Sequence, residues 1–168
     1  STIVNMVNGT GPSDRVGRKV KITQIDYSLT VYLNGGAVGI NTDAFRFDIF
    51  LDKQCNGAAP TAADLYTAVA GIPGTCQFLN ILNEKRFKRL FTTCKQMNIQ
   101  SGIAAVNTSS NVGVKIEGSI YPNCIIEYDA SAGNVTDITS NNICTAWGSD
   151  LGFCIAAATS TRVHYTDA

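Results

Sequence analysis

The sequence is poor in the groups that carry catalysis. It contains one histidine in 168 residues, so any Cys–His or Ser–His pair would have to use His164. That residue stands beside Arg162 near the C-terminus and reads as a surface imidazole. No Gly-x-x-x-x-Gly-Lys loop is present to cradle phosphate. Gly9-x-Gly11 has no strand before it and Pro12 directly after it, which excludes a dinucleotide fingerprint. With no constellation of acid, base and nucleophile, the expectation is a protein that is not an enzyme, with no catalytic residues and no cofactor.

Other absences narrow the class. No stretch approaches the roughly 20 apolar residues of a membrane helix, so no membrane insertion is expected. Charged residues make up 15% of the chain, well below the roughly 25% of an average globular domain. The six cysteines, at 55, 76, 94, 124, 144 and 154, include no Cys-x-x-Cys pair. A chain long enough to bury its own core does not need staples, so free, mostly buried thiols are expected. A zinc site lacks its short paired spacings. The acid pair Glu127 and Asp129 has the chemistry to hold a divalent ion at a subunit contact, with solvated carboxylates the default; a metal is left unassigned. Asn8, Asn107 and Asn134 each open an Asn-x-Ser/Thr sequence, a pattern that arises by chance in a chain rich in Thr and Asn.

What is present is β-pattern. Phe45, Phe47, Ile49 and Leu51 recur at every second position, with Arg46 and Asp48 on the other parity. Asn56-Gly57 supplies a turn, and Thr61 with Asp64 forms a capping box that starts a short helix. Asp26, Asp48 and Asp52 alternate with apolar residues and are expected to face solvent or a neighbouring subunit. Val20 and Ile22 lie on one parity and Ile25, Tyr27, Leu29, Val31 and Leu33 on the other. A bulge near Thr23 and Gln24, or a strand that switches sheets at a corner, would turn both runs to one core. Further strands are expected over Arg86–Ile99, Val112–Tyr121 and Cys124–Tyr128, with a break at Pro122-Asn123. Loops are expected at Asn34-Gly-Gly and Gly71-Ile-Pro-Gly74, and turn-like chain over Asp129–Asn142. Near the end, Leu151, Phe153, Ile155, Ala157, Thr159, Thr161, Val163 and Tyr165 share one parity, with a turn expected around Ala158–Ser160. Short strands with turns about every 8 to 12 residues describe an all-β sandwich or barrel. Residues 1–17 read as a polar, extended lead-in to a single domain.

Net charge is zero but unevenly distributed. Residues 1–95 carry a balance of +4 and residues 96–168 one of −4. The excess lies in Arg15, Arg18, Lys19 and Lys21, and in Lys85, Arg86, Lys88 and Arg89, clusters of a kind that attracts phosphate or forms a solvated face.

Four landmarks in order carry a resemblance. They are Gly9–Ile22, Phe45–Leu65 with its Asp-Lys-Gln-x-Asn-Gly-Ala-Ala-Pro-Thr centre, Lys85–Lys88, and the ending Thr161–Ala168. Together they resemble the jelly-roll capsid proteins of small circular, Rep-encoding single-stranded DNA viruses (circovirus-like). Coat proteins of satellite necrosis viruses, with single-stranded RNA, share a Phe-Arg-Phe strand and a Tyr-Thr-Asp-Ala end. The resemblance implies an eight-stranded antiparallel jelly roll whose copies close into a sixty-copy T=1 icosahedral shell around single-stranded DNA. It places the protein in the virion, and in the host nucleus during assembly. It also implies a basic N-terminal arm; residues 1–14 hold no Lys or Arg, and the start at Ser1 without Met is read as a chain whose arm was removed. The alternatives are a satellite-type single-stranded RNA coat protein and a secreted jelly-roll ligand-binding domain with glycans on its polar loops.

In such jelly rolls the first, third and last core strands share the lumen-facing sheet. Applied to this chain, the parity away from the core selects Lys19 and Lys21, Arg86 and Lys88, and Arg162 and His164 as the nucleic-acid-binding face. Contacts through them would be salt-dependent and blind to sequence. The competing reading pairs several of them with acidic side chains at subunit interfaces.

Overall fold

The computed structural model describes residues 1–10, 14–33, 42–67, 77–98, 113–150 and 154–168, with backbone alone at Leu33, Thr42, Asn98 and 154–158. The loops expected at Asn34-Gly-Gly and Gly71-Ile-Pro-Gly74, together with Asn107, lie outside the described residues. Among those described are eight strands, β1 Lys19–Leu33, β2 Thr42–Asp52, β3 Phe87–Asn98, β4 Gly113–Ile120, β5 Cys124–Tyr128, β6 Ile138–Ser140, β7 Asn142–Ser149 and β8 Cys154–Asp167, and one helical turn, α1 Ala62–Leu65. They form the expected all-β, antiparallel two-sheet sandwich.

β1 is the hub of the larger sheet. β8 runs along one of its edges, while β5 and β4 pair end to end along the other and β6 follows β5. The smaller sheet has the order β3-β2-β7. The pairing is nested, first strand with last and second with seventh, as in a sheet rolled up on itself. β3, however, returns onto β2 and does not cross to the sheet of β1.

The alternating residues build the core as their spacing requires. Val20, Ile22, Ile25, Tyr27, Leu29 and Val31 are all buried, and the β1–β8 register shifts between Ile22 and Gln24, so a bulge at Thr23 reconciles the two parities. Phe45, Phe47, Ile49 and Leu51 meet them from β2. β8 departs from expectation. It runs through Ala158–Ser160 without a turn and shifts register instead, Ala158 pairing with Thr30 and Ala156 with Val31. The single parity is therefore broken at Ala157 within β8, because a bulge follows the strong twist of a long strand where a turn would abandon its ladder; Leu151 and Phe153 lie outside the described residues.

Residues 1–10 and 14–17 are integrated into the fold, not merely a lead-in. Thr2 bridges to Cys144, and Ile3 N–H donates to the Ile143 carbonyl at 3.0 Å, so the segment lines the β7 edge. Val4 and Met6 enter the core. Arg15, taken above as part of a phosphate-attracting cluster, is fully buried. Its Nε donates to the Met6 carbonyl at 3.1 Å, its other nitrogens donate to the carbonyls of Gly17 and Ala130, and its guanidinium lies 4.2 Å from the centre of the Tyr128 ring. A buried cation is retained here by carbonyl dipoles and a π-face, which clamp the lead-in to the 128–133 segment.

The outer face of the smaller sheet is covered in part, over Asp48 and Asp52, and this overturns the expectation for those acids. The chain after β2 folds α1 over it, started by the expected box in which Thr61 N–H donates to Asp64 Oδ2 at 2.7 Å and Asp64 N–H to Thr61 Oγ1 at 3.3 Å. Leu65 packs with Phe50, Phe87 and Cys144 in a second small core. Asp48, Asp52 and Arg46 are consequently buried and do not face solvent. Asp48 accepts the Tyr66 hydroxyl and lies 2.6 Å from Arg46 Nε and 3.5 Å from Arg89 Nε, close charge contacts that are not aligned as hydrogen bonds. Burial, and then the bond to Asp48, push the Tyr66 phenol well up, so it is a donor at any ordinary pH.

Cys55, Cys94, Cys124 and Cys144 are free thiols, as expected, but they are not mostly buried: Cys144 is buried, Cys55 and Cys124 are half-buried and Cys94 is exposed; Cys76 and the side chain of Cys154 lie outside the described residues. Burial pushes Cys144 up to about 12, which leaves it inert as a nucleophile.

Candidate nucleic-acid interface

The six residues selected from the sequence divide between two sheets. Lys19, Lys21, Arg162 and His164 come together on the outer face of the β1 sheet. The antiparallel register sets Lys21 opposite Thr166, Gln24 opposite His164 and Asp26 opposite Arg162. Lys21 and Arg162 are thus separated by about 13 Å along the strands, with His164 between them. Residues on the same face from β4 and β5 include Lys115, Glu117, Ser119, Ile125 and Glu127.

Arg86 and Lys88 are not on this face, which corrects the three-strand prediction. β3 belongs to the other sheet, and Phe87, between Arg86 and Lys88 on the opposite parity, packs in the small outer core under α1 and not in the main sandwich core. Arg86 is tied down in addition. Its Nε and Nη2 donate to Asp52 Oδ1 and Oδ2 at 2.8 and 2.7 Å, a bidentate pair that raises the guanidinium pKa. Lys88, exposed at the start of β3, sits opposite Leu51 and is near enough to Cys124 for its charge to act on that thiol. The parity argument failed because it needed the strand-to-sheet assignment as well as the alternation.

Intramolecular pairing also claims part of the remaining set. Lys19 Nζ lies 2.7 Å from Glu127 Oε1, and Lys115 Nζ 2.5 Å from Glu117 Oε2, both exposed pairs. Such pairs contribute between about 0 and 1 kcal/mol and exchange readily for a better partner. His164 Nε2 lies 2.7 Å from Asp26 Oδ2. Asp26 also accepts Ser119 Oγ and Gln24 Nε2, both at 2.6 Å. A carboxylate that only accepts puts the imidazole proton on Nε2. Lys21 and Arg162 are the cations on this face that make no salt bridge among the described residues, and both are exposed. Asp26, Gln24 and Ser119 belong to the site, and sequence reasoning missed them. Only the register brings them together.

The Ser119, Gln24 and His164 hydrogen bonds, in that order, hold the Asp26 carboxyl well below its ordinary value of 3.8. A depressed carboxylate pKa stabilises the fold above its unfolded value, and the contribution is lost as pH falls through the folded value. Asp26→Asn is therefore expected to flatten the acid limb of a stability–pH profile below about pH 4. Chemical denaturation at a series of pH values checks this; an unaltered acid limb would refute the role of Asp26.

The opposite side of the molecule carries a feature absent from the sequence reading. After α1 the chain at 77–83 lies over the smaller sheet and projects Phe78, Ile81 and Leu82, which are 73%, 71% and 89% exposed. The signal was there, paired apolar residues flanked by Asn80 and Asn83, but periodicity assigns such residues to a core. Among the described residues no group of three or more His, Cys, Asp or Glu side chains could hold a metal ion; Glu127, one of the suggested acids, is engaged by Lys19. No family model and no curated protein matches the chain.

Proposed function

We propose that the protein is a viral capsid subunit that assembles with identical copies into a small icosahedral shell and contacts single-stranded nucleic acid, DNA in the first instance, through the outer face of the β1 sheet. The observation that carries this reading is the contrast between its two outer faces. One is uncovered among the described residues, polar, and set with Lys19, Lys21, Arg162 and His164; the other is partly covered by its own chain, which projects exposed apolar side chains. A shell subunit needs such a division, with a cationic surface for the backbone of the cargo and apolar surface for neighbouring copies. The four sequence landmarks support the same reading.

The contact set narrows to Lys21 and Arg162, with Lys19 and His164 recruited by exchange of a carboxylate for a phosphate. Uniform particles are expected in size-exclusion chromatography and negative-stain microscopy, with contents that DNase removes; RNase sensitivity would favour the satellite-type alternative. Monomers at every concentration would sink the shell reading. For the interface, Lys21→Ala with Arg162→Ala is expected to make the dependence of log affinity for oligonucleotide on log salt shallower by about 1.4, two single-strand phosphate contacts. An unchanged slope would place the cargo elsewhere.

A further inference from the structure

We propose that the apolar knob at 78–82 and the groove beside it form a two-fold contact between two copies of this chain, the knob of each seated in the groove of the other. The inference names the partner of the assembling surface and so rests on the shell reading, although a dimer tests it separately.

The knob is rigid. Thr67 N–H donates to the Phe78 carbonyl at 3.0 Å and Asn80 N–H to the Leu65 carbonyl at 2.9 Å. Asn80 Nδ2 donates to Ala63 O at 2.9 Å, Asn83 Nδ2 to Asp64 O at 3.0 Å, and Leu82 N–H to Asn80 Oδ1 at 3.1 Å. The side chains of Phe78, Ile81 and Leu82 therefore project into water from a backbone pinned at several points. Preordered apolar groups of this kind lose little entropy on docking and serve as anchors.

The groove lies against the knob, with a volume of about 810 Å³, between Phe78, Leu79 and Ile81 on one side and Arg89, Thr92 and Cys94 of β3 on the other. A two-fold contact requires both complementary halves within one patch, because the same surface meets itself. Here knob and groove adjoin. The charges obey the same requirement: Glu84 and Arg89, of opposite sign, line the one groove, so a two-fold axis brings Glu84 of each copy towards Arg89 of the other. Glu84 makes no salt bridge among the described residues, and the charge contact of Arg89 with Asp48 is at 3.5 Å, which leaves its fork available. A partner of different sequence would need no such internal complementarity, and this is the ground for assigning a second copy.

Cys94 is exposed in the groove and supplies the test. Leu82→Cys, oxidised mildly, is expected to give a covalent dimer whose disulfide joins position 82 of one copy to Cys94 of the other. Adding Cys94→Ser should abolish it, and a crosslink that persists without Cys94 would overturn the knob-in-groove geometry. Leu82→Asp is expected to raise the concentration needed for self-association at least about thirtyfold. Its melting temperature should be unchanged, since Leu82 contributes little to the monomer's core. Self-association equal to the parent's would overturn the proposal and leave the patch to another kind of partner. Shells that form without the crosslink would overturn it while sparing the shell reading, whereas crosslinked dimers that never close into shells would do the reverse.

Discussion

Asp48→Ala is expected to lower the unfolding free energy by about 3–5 kcal/mol, because it leaves the buried Arg46 guanidinium and the partly exposed one of Arg89 without their counter-charge and the Tyr66 hydroxyl without its acceptor. Asp48 is fully buried between Arg46 and Arg89, and it accepts the Tyr66 hydroxyl. The two cations cannot shed their charge, so the cost of their burial reappears as soon as the carboxylate is gone. Repulsion between them would then open the segment from α1 onward, whose attachment includes the Arg46 Nη1 bond to the Gln77 carbonyl at 2.8 Å. Tyr66→Phe removes a single donor from the same site and is expected to cost about 1–2 kcal/mol. Urea titration of the two variants measures the gradation. Equal losses, or a loss below about 1 kcal/mol for Asp48→Ala, would mean that the cluster adds little beyond its packing. Because the same segment carries Phe78, Ile81 and Leu82, Asp48→Ala should also weaken self-association, a coupling that Tyr66→Phe should show in smaller measure.

Local signals in the sequence carried their own outcomes. The change of parity at Thr23, the Thr61–Asp64 capping box, and the turns at Gly57 and Asn123, where φ is +77° and +47°, each depend on residues a few positions apart and could be read directly. Where the reading failed, the missing fact was a long-range one. Asp48 alternates like a solvent-facing acid and is buried only because chain 14 residues and more ahead folds back over it. Arg15 looks like one more basic residue until Ala130 and Tyr128 arrive around it. β7 went unrecognised because Asn142 and Thr145 interrupt its apolar residues, although Ile143 and Cys144 are buried on opposite faces of the strand. For the candidate interface, alternation was enough to select Lys19, Lys21, Arg162 and His164. It could not supply the sheet to which β3 belongs, and so it added Arg86 and Lys88.

Gly133→Ala is expected to cost about 2–5 kcal/mol, from two separable causes. Gly133 has φ +73°, in the left-handed region where a side chain costs roughly 1–2 kcal/mol. A Cβ there would also fall on the Met6 carbonyl group and stand 2.7 Å from Val7 N, backbone atoms that cannot swing aside as a side chain would. Forced repacking of this kind adds about 1–3 kcal/mol. Here it displaces the same Met6 carbonyl that accepts Arg15 Nε, so the clamp on the lead-in loosens with it. Gly57 isolates the first cause. It has φ +77°, and the nearest atom to a Cβ built on it is Thr136 Cα at 4.0 Å. Gly57→Ala should therefore cost only the conformational part, about 1–2 kcal/mol. With a shift of about 2–4 °C per kcal/mol for a chain of this size, the two variants should melt several degrees apart, Gly133→Ala lower. If they melt together, the close approach of residues 6–7 to Gly133 contributes nothing, and the lead-in is held by Arg15, the β7 edge and the core contacts of Val4 and Met6.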